Sequence, residues 1–249
     1  MFDTATNLSD FEDLISGSVS KPLSTLTKAA PIKTQEEIRR EWLMQRWGRM
    51  TASKFSSLMT YENKDGLPAG AITYIEKIAA QRISTPTDAD LDDGFATKAI
   101  VWGRENEVDG LMLAQRWFAI ELADYGDNQQ FLTLGDYLGA TPDAVDSDGC
   151  VHEIKCPDTA THCRYRTILS AADLKAIEPT YYWQVIGEMQ CYESDYAYFH
   201  SYDPRMNNPA KRLHSVLIAR DEIEHDLQKL IARQKMAIEH IKKYVEING

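Results

Sequence analysis

Long apolar runs are missing from this chain of 249 residues. None approaches the ~18 consecutive apolar residues of a helical membrane span, so no membrane partner is expected. Cysteine is scarce: the four, at positions 150, 156, 163 and 191, include no Cys-x-x-Cys pair, which points to reduced thiols rather than a disulfide framework. The opening MFDTATNLSDFEDL has neither the basic nor the apolar region of a secretory signal, so a cytoplasmic protein is expected. An excess of positive charge is missing too. Lys and Arg number 27 against 38 Asp and Glu, a formal net charge of −11, which excludes gripping nucleic acid through bulk positive charge. No internal repeat is present, which excludes a solenoid.

What is there is an ordinary globular composition, 43% hydrophobic and 26% charged, long enough for a well-filled core. The charge is uneven. Residues 31–60 carry six Lys/Arg against three Asp/Glu, whereas residues 101–150 carry two Arg against ten Asp/Glu. Such an acidic third is either a solvated surface or a cation site, and composition does not choose. Residues 1–33 read as a flexible lead-in rich in Ser, Thr, Asp and Ala, and residues 34–249 as a single domain.

In TQEEIRREWLMQRW, Thr34 and Glu37 form a capping-box pattern ahead of Ile38, Trp42 and Leu43 at helical spacing. A second helical stretch opens at Thr51 or Ser53, STPTDADLDDGF over 84–95 reads as an acidic loop, and a long helix is expected from Ala96 to Ile120. The period then changes. FLTLGDYLGATPDAV, DSDG and CVHEIKC predict strand, turn and strand, with Asp148-Gly149 as the hairpin signal. Helices follow over 161–177 and 181–192, then strands in YAYFHSY and LHSVLIAR, then a helix from Asp221 to about Val245. This order predicts an α/β fold with a central mixed β-sheet flanked by helices.

The chemistry concentrates in Thr141-Pro142-Asp143 and Glu153-Ile154-Lys155. A short turn between adjacent strands brings Asp143 near Glu153, and alternation puts Glu153 and Lys155 on one face with Ile154 on the other. Asp143, Glu153 and the Ile154 carbonyl are oxygen donors suited to Mg²⁺. The Lys155 ammonium can stabilise a phosphorane-like transition state, or position and deprotonate an attacking water. This is the pattern of a metal-dependent phosphodiesterase; its bland counterpart is a surface hairpin with a salt bridge. A second match, Pro157-Asp158 with Asp173-Leu174-Lys175, is rejected, because ILSAADLKAI has helical composition and residues i and i+2 of a helix diverge. Glu107, inside the acidic segment, is a further carboxylate directed at metal or one of several solvated ones. Gln184 shares a helical face with Tyr181 and Glu188, as a site residue or a hydrogen-bonded core residue.

EWLMQRWGRMTAS, AIVWGRENEVD, GATPDAVDSDGCVHEIKCP, YYWQVIGEMQ and YFHSYDPRM resemble, in order and spacing, the blocks of the phage lambda-type exonucleases, recombination nucleases of the restriction-endonuclease-like (PD-(D/E)xK) superfamily. The resemblance covers about residues 36–220. It implies a restriction-endonuclease-like core and Mg²⁺-dependent, processive 5′→3′ removal of nucleotides from one strand of duplex DNA, leaving a 3′ single strand. Two Mg²⁺ per site are implied, with Mn²⁺ able to substitute. By position, Asp143, Glu153 and the Ile154 carbonyl are the implied metal ligands, Lys155 the catalytic lysine, and Glu107 and Gln184 supporting residues near metal and water. Arg46, Ser53 and Thr141 match the implied 5′-phosphate pocket, Thr141 standing where the family uses serine. An arginine fork, and hydroxyls and N–H groups at a helix start, suit that anion on physical grounds as well. The implied partners are double-stranded DNA ends, two further copies of the chain in a homotrimeric ring, and a single-strand-annealing protein, in a phage or prophage setting. An iron–sulfur cluster, found in some related nucleases, is not expected from this cysteine spacing. Cys150 reads as core, His162 as a surface histidine, and Arg205 as either a DNA contact or a partner of Asp203.

Overall fold

The computed structural model describes residues 34–91 and 97–249. The expected lead-in over 1–33 and residues 92–95 of the acidic loop lie outside them. Helix α1 (Gln35–Arg46) starts as its capping box predicts, with the Thr34 hydroxyl accepting from the Glu37 N–H and the Glu37 carboxylate accepting from the Thr34 N–H. Beyond it, the expected second helix is short. Strand β1 (Met50–Thr51) passes into a 3₁₀ turn (Ala52–Lys54) and then α2 (Phe55–Met59). Helices α3 (Ala69–Arg82) and α4 (Lys98–Phe118) follow, the latter capped by Thr97 and stopped by Ala119 at a left-handed φ of 52°.

The segment read as one strand before the Asp148-Gly149 turn is three. Gly135, at φ +61°, turns the chain between β3 (Leu132–Leu134) and β4 (Leu138–Ala140). Pro142 then interrupts the backbone donors before β5 (Ala144–Asp146). The expected turn at Asp148-Gly149 forms, with Gly149 at φ +79°, and leads into β6 (Val151–Lys155). The expected helix over 161–177 is also divided, into α5 (Thr159–Tyr165) and α6 (Ala171–Ile177), because Ser170 caps a new start by accepting from the Asp173 N–H. Helix α7 (Pro179–Cys191), β7 (Tyr196–Tyr202), β8 (Leu213–Ala219) and α8 (Arg220–Asn248) complete the chain.

Among the described residues, the strands form a larger mixed sheet, as expected, and a second, smaller one. The larger has the order β2-β5-β6-β7-β8, with β2 over Leu122–Ala123, and the smaller β1-β4-β3. Only β6–β7 and β1–β4 are parallel pairs, so both sheets are mixed. The α/β class with flanking helices therefore stands. One face of β6 packs on α7, where Tyr182 to Met189 form an unbroken buried run. The other face packs on α4: Ile154 joins Leu111 and Ala114 in a second cluster, and Gly110 gives it room, since a Cβ there would lie 2.4 Å from Ile154 Cδ1. Gly187 does the same for α7, where a Cβ would lie 2.4 Å from the Phe55 ring and 3.1 Å from Ala52. Among the described residues, no helix is long and apolar enough to cross a membrane.

Under the α4 side of the sheet runs a buried polar chain. His152 Nε2 lies 3.3 Å from Asp146 Oδ2, His152 Nδ1 is 2.9 Å from His200 Nε2, and His200 Nδ1 is 2.8 Å from the Ser215 hydroxyl. With both rings neutral every link has one donor and one acceptor, so nothing in the chain is left unsatisfied. Burial lowers the pKa of His200 well below the ordinary histidine range, helped by His152 and His214. The unfolded chain therefore takes up a proton near pH 6.5 that the folded chain refuses, and stability falls as pH drops below that value. The expected contribution is about 1.4 kcal/mol per pH unit from one such histidine. Urea unfolding at pH 7, 6 and 5 measures the slope, and His200→Gln is expected to flatten it.

Candidate active site

The larger sheet ends in a small cavity of about 220 Å³. Strand β6 contributes Glu153 and Lys155 to it, and the chain entering β5 contributes Thr141 and Asp143. Alternation does what the sequence predicts, sending Glu153 and Lys155 to the α7 face and Ile154 to the α4 face. The hairpin also does what was expected of Asp143: its N–H donates to the His152 carbonyl at 2.9 Å, and its Oδ2 accepts from the Ile154 N–H at 2.8 Å. Gln129 donates to Asp143 Oδ1 at 3.2 Å, a contact with no signal in the sequence. The Ile154 side chain is fully buried.

Helix α7 supplies the far wall. Gln184 Nε2 donates to Glu153 Oε1 at 2.6 Å and to Glu188 Oε1 at 2.9 Å. Lys155 Nζ also donates to Glu153 Oε1. Glu188, 1% exposed, is the residue that sequence reasoning left out of the site; an acid four positions after Gln184 inside an otherwise apolar helix was its signal. Glu107 is half-buried on α4 and lines a larger groove of about 950 Å³ that shares Lys155, Trp42 and Gln129 with the cavity.

These charges act on one another. Burial, and then the charge of Glu153, raises Asp143 to about 7, while Lys155 and the Ile154 N–H pull it down. Burial and then Asp143 raise Glu107 to about 7. Glu188 rises well above the ordinary glutamate value, from burial first and Glu153 second. Burial opposes the charge on Lys155, but Glu153 and Asp143 outweigh it and hold the ammonium above the ordinary lysine value. The chain thus gathers four carboxyl groups around the Lys155 ammonium. Three buried oxygens, Glu153 Oε2, Glu188 Oε2 and Thr141 Oγ1, have no hydrogen-bond partner. The unpaired Glu153 Oε2, a hard oxygen donor beside the repelling carboxyl groups of Asp143 and Glu188, fits a divalent cation such as Mg²⁺.

The rest of the lining is of another kind. Arg46, Thr51, Ala52 and Ser53 line the same cavity. Arg46 lies across Trp42, 4.1 Å from its ring centroid, donates to Thr51 Oγ1 at 3.3 Å, and keeps Phe131 at 5.7 Å. Burial lowers its pKa to about 10, which leaves it charged at neutral pH. Thr51 and Ser53 hydroxyls stand 3.3 Å apart. The helix-start part of the anion argument does not hold, because a three-residue 3₁₀ turn and a five-residue helix follow these hydroxyls and Thr51 makes no side-chain cap. The donors in this part of the lining are the guanidinium and the hydroxyls.

Elsewhere, His162 is not at the surface: it is fully buried, with Nδ1 2.7 Å from the Ser201 hydroxyl and Nε2 2.9 Å from the Lys211 carbonyl. Arg205 pairs with Asp203 at 2.7 Å. Cys150 is buried, as expected, and the four cysteines are free. Cys150 does stand with Asp146 and His152 in a group whose ligand atoms lie within 4.8 Å of one another. Both Asp146 oxygens there already accept bonds, Oδ1 from the Asp148 and Cys150 N–H groups and Oδ2 from His152. The rejected Asp173–Lys175 pair is on a helix, with Asp173 in the Ser170 cap and Lys175 bonded to Glu62 and Asp226.

A family model described as the YqaJ-like viral recombinase domain matches residues 41–196. No curated protein matches. Among solved structures, the chain is similar to an alkaline exonuclease from Laribacter hongkongensis, at 22% identity and TM-score 0.62 over 82% of this chain and 94% of that one. The same exonuclease in complex with dAMP gives 22% identity and TM-score 0.61 over the same shares. A phage related exonuclease from Haemophilus somnus 129PT gives 16% and 0.59, over 82% of this chain and 96% of that one. These likenesses carry the restriction-endonuclease-like fold.

Lys155→Ala removes the ammonium that is bonded to Glu153. With Lys155 still 24% exposed, the variant is expected to lose about 1–3 kcal/mol of stability, less than a fully buried pair would. Adding Glu153→Gln is expected to restore part of it. Urea unfolding in EDTA measures both.

Proposed function

The chain belongs to the YqaJ-like viral recombinase domain family, and on that premise we propose that it is a Mg²⁺-dependent 5′→3′ exonuclease that processively degrades one strand of linear duplex DNA from 5′-phosphorylated ends. The 3′ single strands it leaves are substrates for recombination by strand annealing. The observation that carries this reading is the composition of one cavity: the carboxylates of Asp143 and Glu153 share it with Arg46, Thr51 and Ser53. An end-specific phosphodiesterase needs both, the first to hold metal and the second to hold a terminal phosphate.

Asp143, Glu153, the Ile154 carbonyl and Glu107 would hold Mg²⁺, two per site. When bound, the metal supplies charge for the scissile phosphate and a water of lowered pKa. Lys155, held as an ammonium, offsets negative charge developing on the phosphoryl oxygens. Gln184 presents an amide to the attacking water. Arg46 gives a planar fork to the 5′-phosphate, and Ser53 and Thr141 add hydroxyl donors. Thr141 Oγ1, buried without a partner, supports that assignment. Each cut regenerates a terminal phosphate beside the same metals, and polarity and processivity follow from that. A homotrimeric ring around the duplex, an annealing-protein partner, a cytoplasmic location and a phage or prophage origin complete the proposal.

Digestion of linear and closed circular duplex tests it. Linear DNA is expected to be degraded with Mg²⁺ and not with EDTA, and the circle to survive; cutting of the circle would make the enzyme an endonuclease. Lys155→Ala is expected to lower cleavage at least about 10²-fold with end binding retained. Arg46→Ala is expected to abolish the preference for a 5′-phosphate over a 5′-hydroxyl end.

A further inference from the structure

Gln184 is oriented by what surrounds its amide. Both protons of Nε2 are used, one on Glu153 Oε1 and one on Glu188 Oε1, while the amide oxygen has no donor among the described residues. The reverse orientation would set that oxygen against the Glu153 carboxylate, so the NH₂ group faces the two acids; Gln184 lines the cavity and its oxygen is not among the buried unpartnered atoms, so the acceptor stands open to the cavity. The two anchors are not equivalent. Glu153 Oε1 already accepts from Lys155, and on the reading above Glu153 is also a metal ligand. Glu188 is 1% exposed, sits one helical turn from Gln184 on α7, and takes no other protein hydrogen bond on its side chain. Its Oε1 is an acceptor whether or not the carboxyl is protonated.

We propose that Glu188 is a positioning residue: it holds the Gln184 amide with its oxygen toward the cavity, as acceptor for the attacking water, while Glu153 is engaged by metal. This rests on the nuclease reading and adds to it a residue that acts only through another. A helix face places the pair, and burial excludes water that could take over the bond. The carboxylate is needed as a fixed acceptor and not as a charge, which separates this role from metal binding.

A double-mutant cycle on linear duplex tests it. Glu188→Ala and Gln184→Ala are each expected to lower kcat about 10–100-fold with KM for DNA ends within about twofold, and the double variant is expected to be no worse than Gln184→Ala. Glu188→Gln, whose amide oxygen still accepts, is expected to stay near wild type, and Mn²⁺ affinity of Glu188→Ala to be unchanged. Multiplying losses in the double variant, equal damage from Glu188→Gln and Glu188→Ala, or weakened Mn²⁺ binding would each overturn the proposal. Absence of wild-type cleavage would overturn the nuclease reading instead. The Gln184 side-chain amide protons, assigned by NMR through Gln184→Glu, then still decide whether Glu188 holds the amide. Two downfield protons in the wild type and one in Glu188→Ala support the positioning, and an unchanged pair in Glu188→Ala refutes it.

Discussion

The organisation of the molecule depends on the contact between Lys155 and Glu153 in the interior of the larger sheet. A carboxylate 1% exposed is costly to bury unless it is paired and hydrogen-bonded, and Glu153 Oε1 is given both an ammonium and an amide. Every other carboxyl in the cavity is then held by reference to that pair. Asp143 is fastened by the Ile154 N–H between the two partners, and Glu188 by the amide that also serves Glu153. Burial and mutual repulsion raise Asp143, Glu107 and Glu188 above the ordinary carboxylate range. On the proposed reading, bound divalent cations would relieve that repulsion.

Strand β6 makes this arrangement possible because its two faces have different tasks. Toward α4 it offers Ile154 and His152, closed off by apolar packing and by the His152–His200–Ser215 chain. Toward α7 it offers Glu153 and Lys155. A five-residue strand with four buried positions is held on both sides, so its polar face cannot retreat into solvent.

Much of this was legible in the sequence because it follows from local rules. The Thr34–Glu37 capping box, the Asp148-Gly149 turn, the alternation along β6 and the helical spacing that disqualified Asp173 and Lys175 each involve neighbours within a few residues. What was not legible depends on distant segments. Splitting the strands over 131–146 between two sheets requires β1, from 88 residues earlier, as the partner of β4. Helical spacing placed Glu188 on a face with Gln184, but its burial depends on segments packed over that face. His162 is buried because Ser201 and the Lys211 carbonyl, both far along the chain, satisfy its two nitrogens. The net charge carries the same lesson, since the acidic excess of 101–150 contributes Asp143 and Glu107 to the cavity region while the basic 31–60 contributes Arg46.

Gly187 sits between Gln184 and Glu188 on α7, and it lets the Phe55 ring and Ala52 approach the helix backbone more closely than any side chain would allow. The segment that carries Ser53 therefore meets the helix that carries Gln184 and Glu188 through hard contact rather than through a loop or a tether, and any side chain at position 187 would push the two apart.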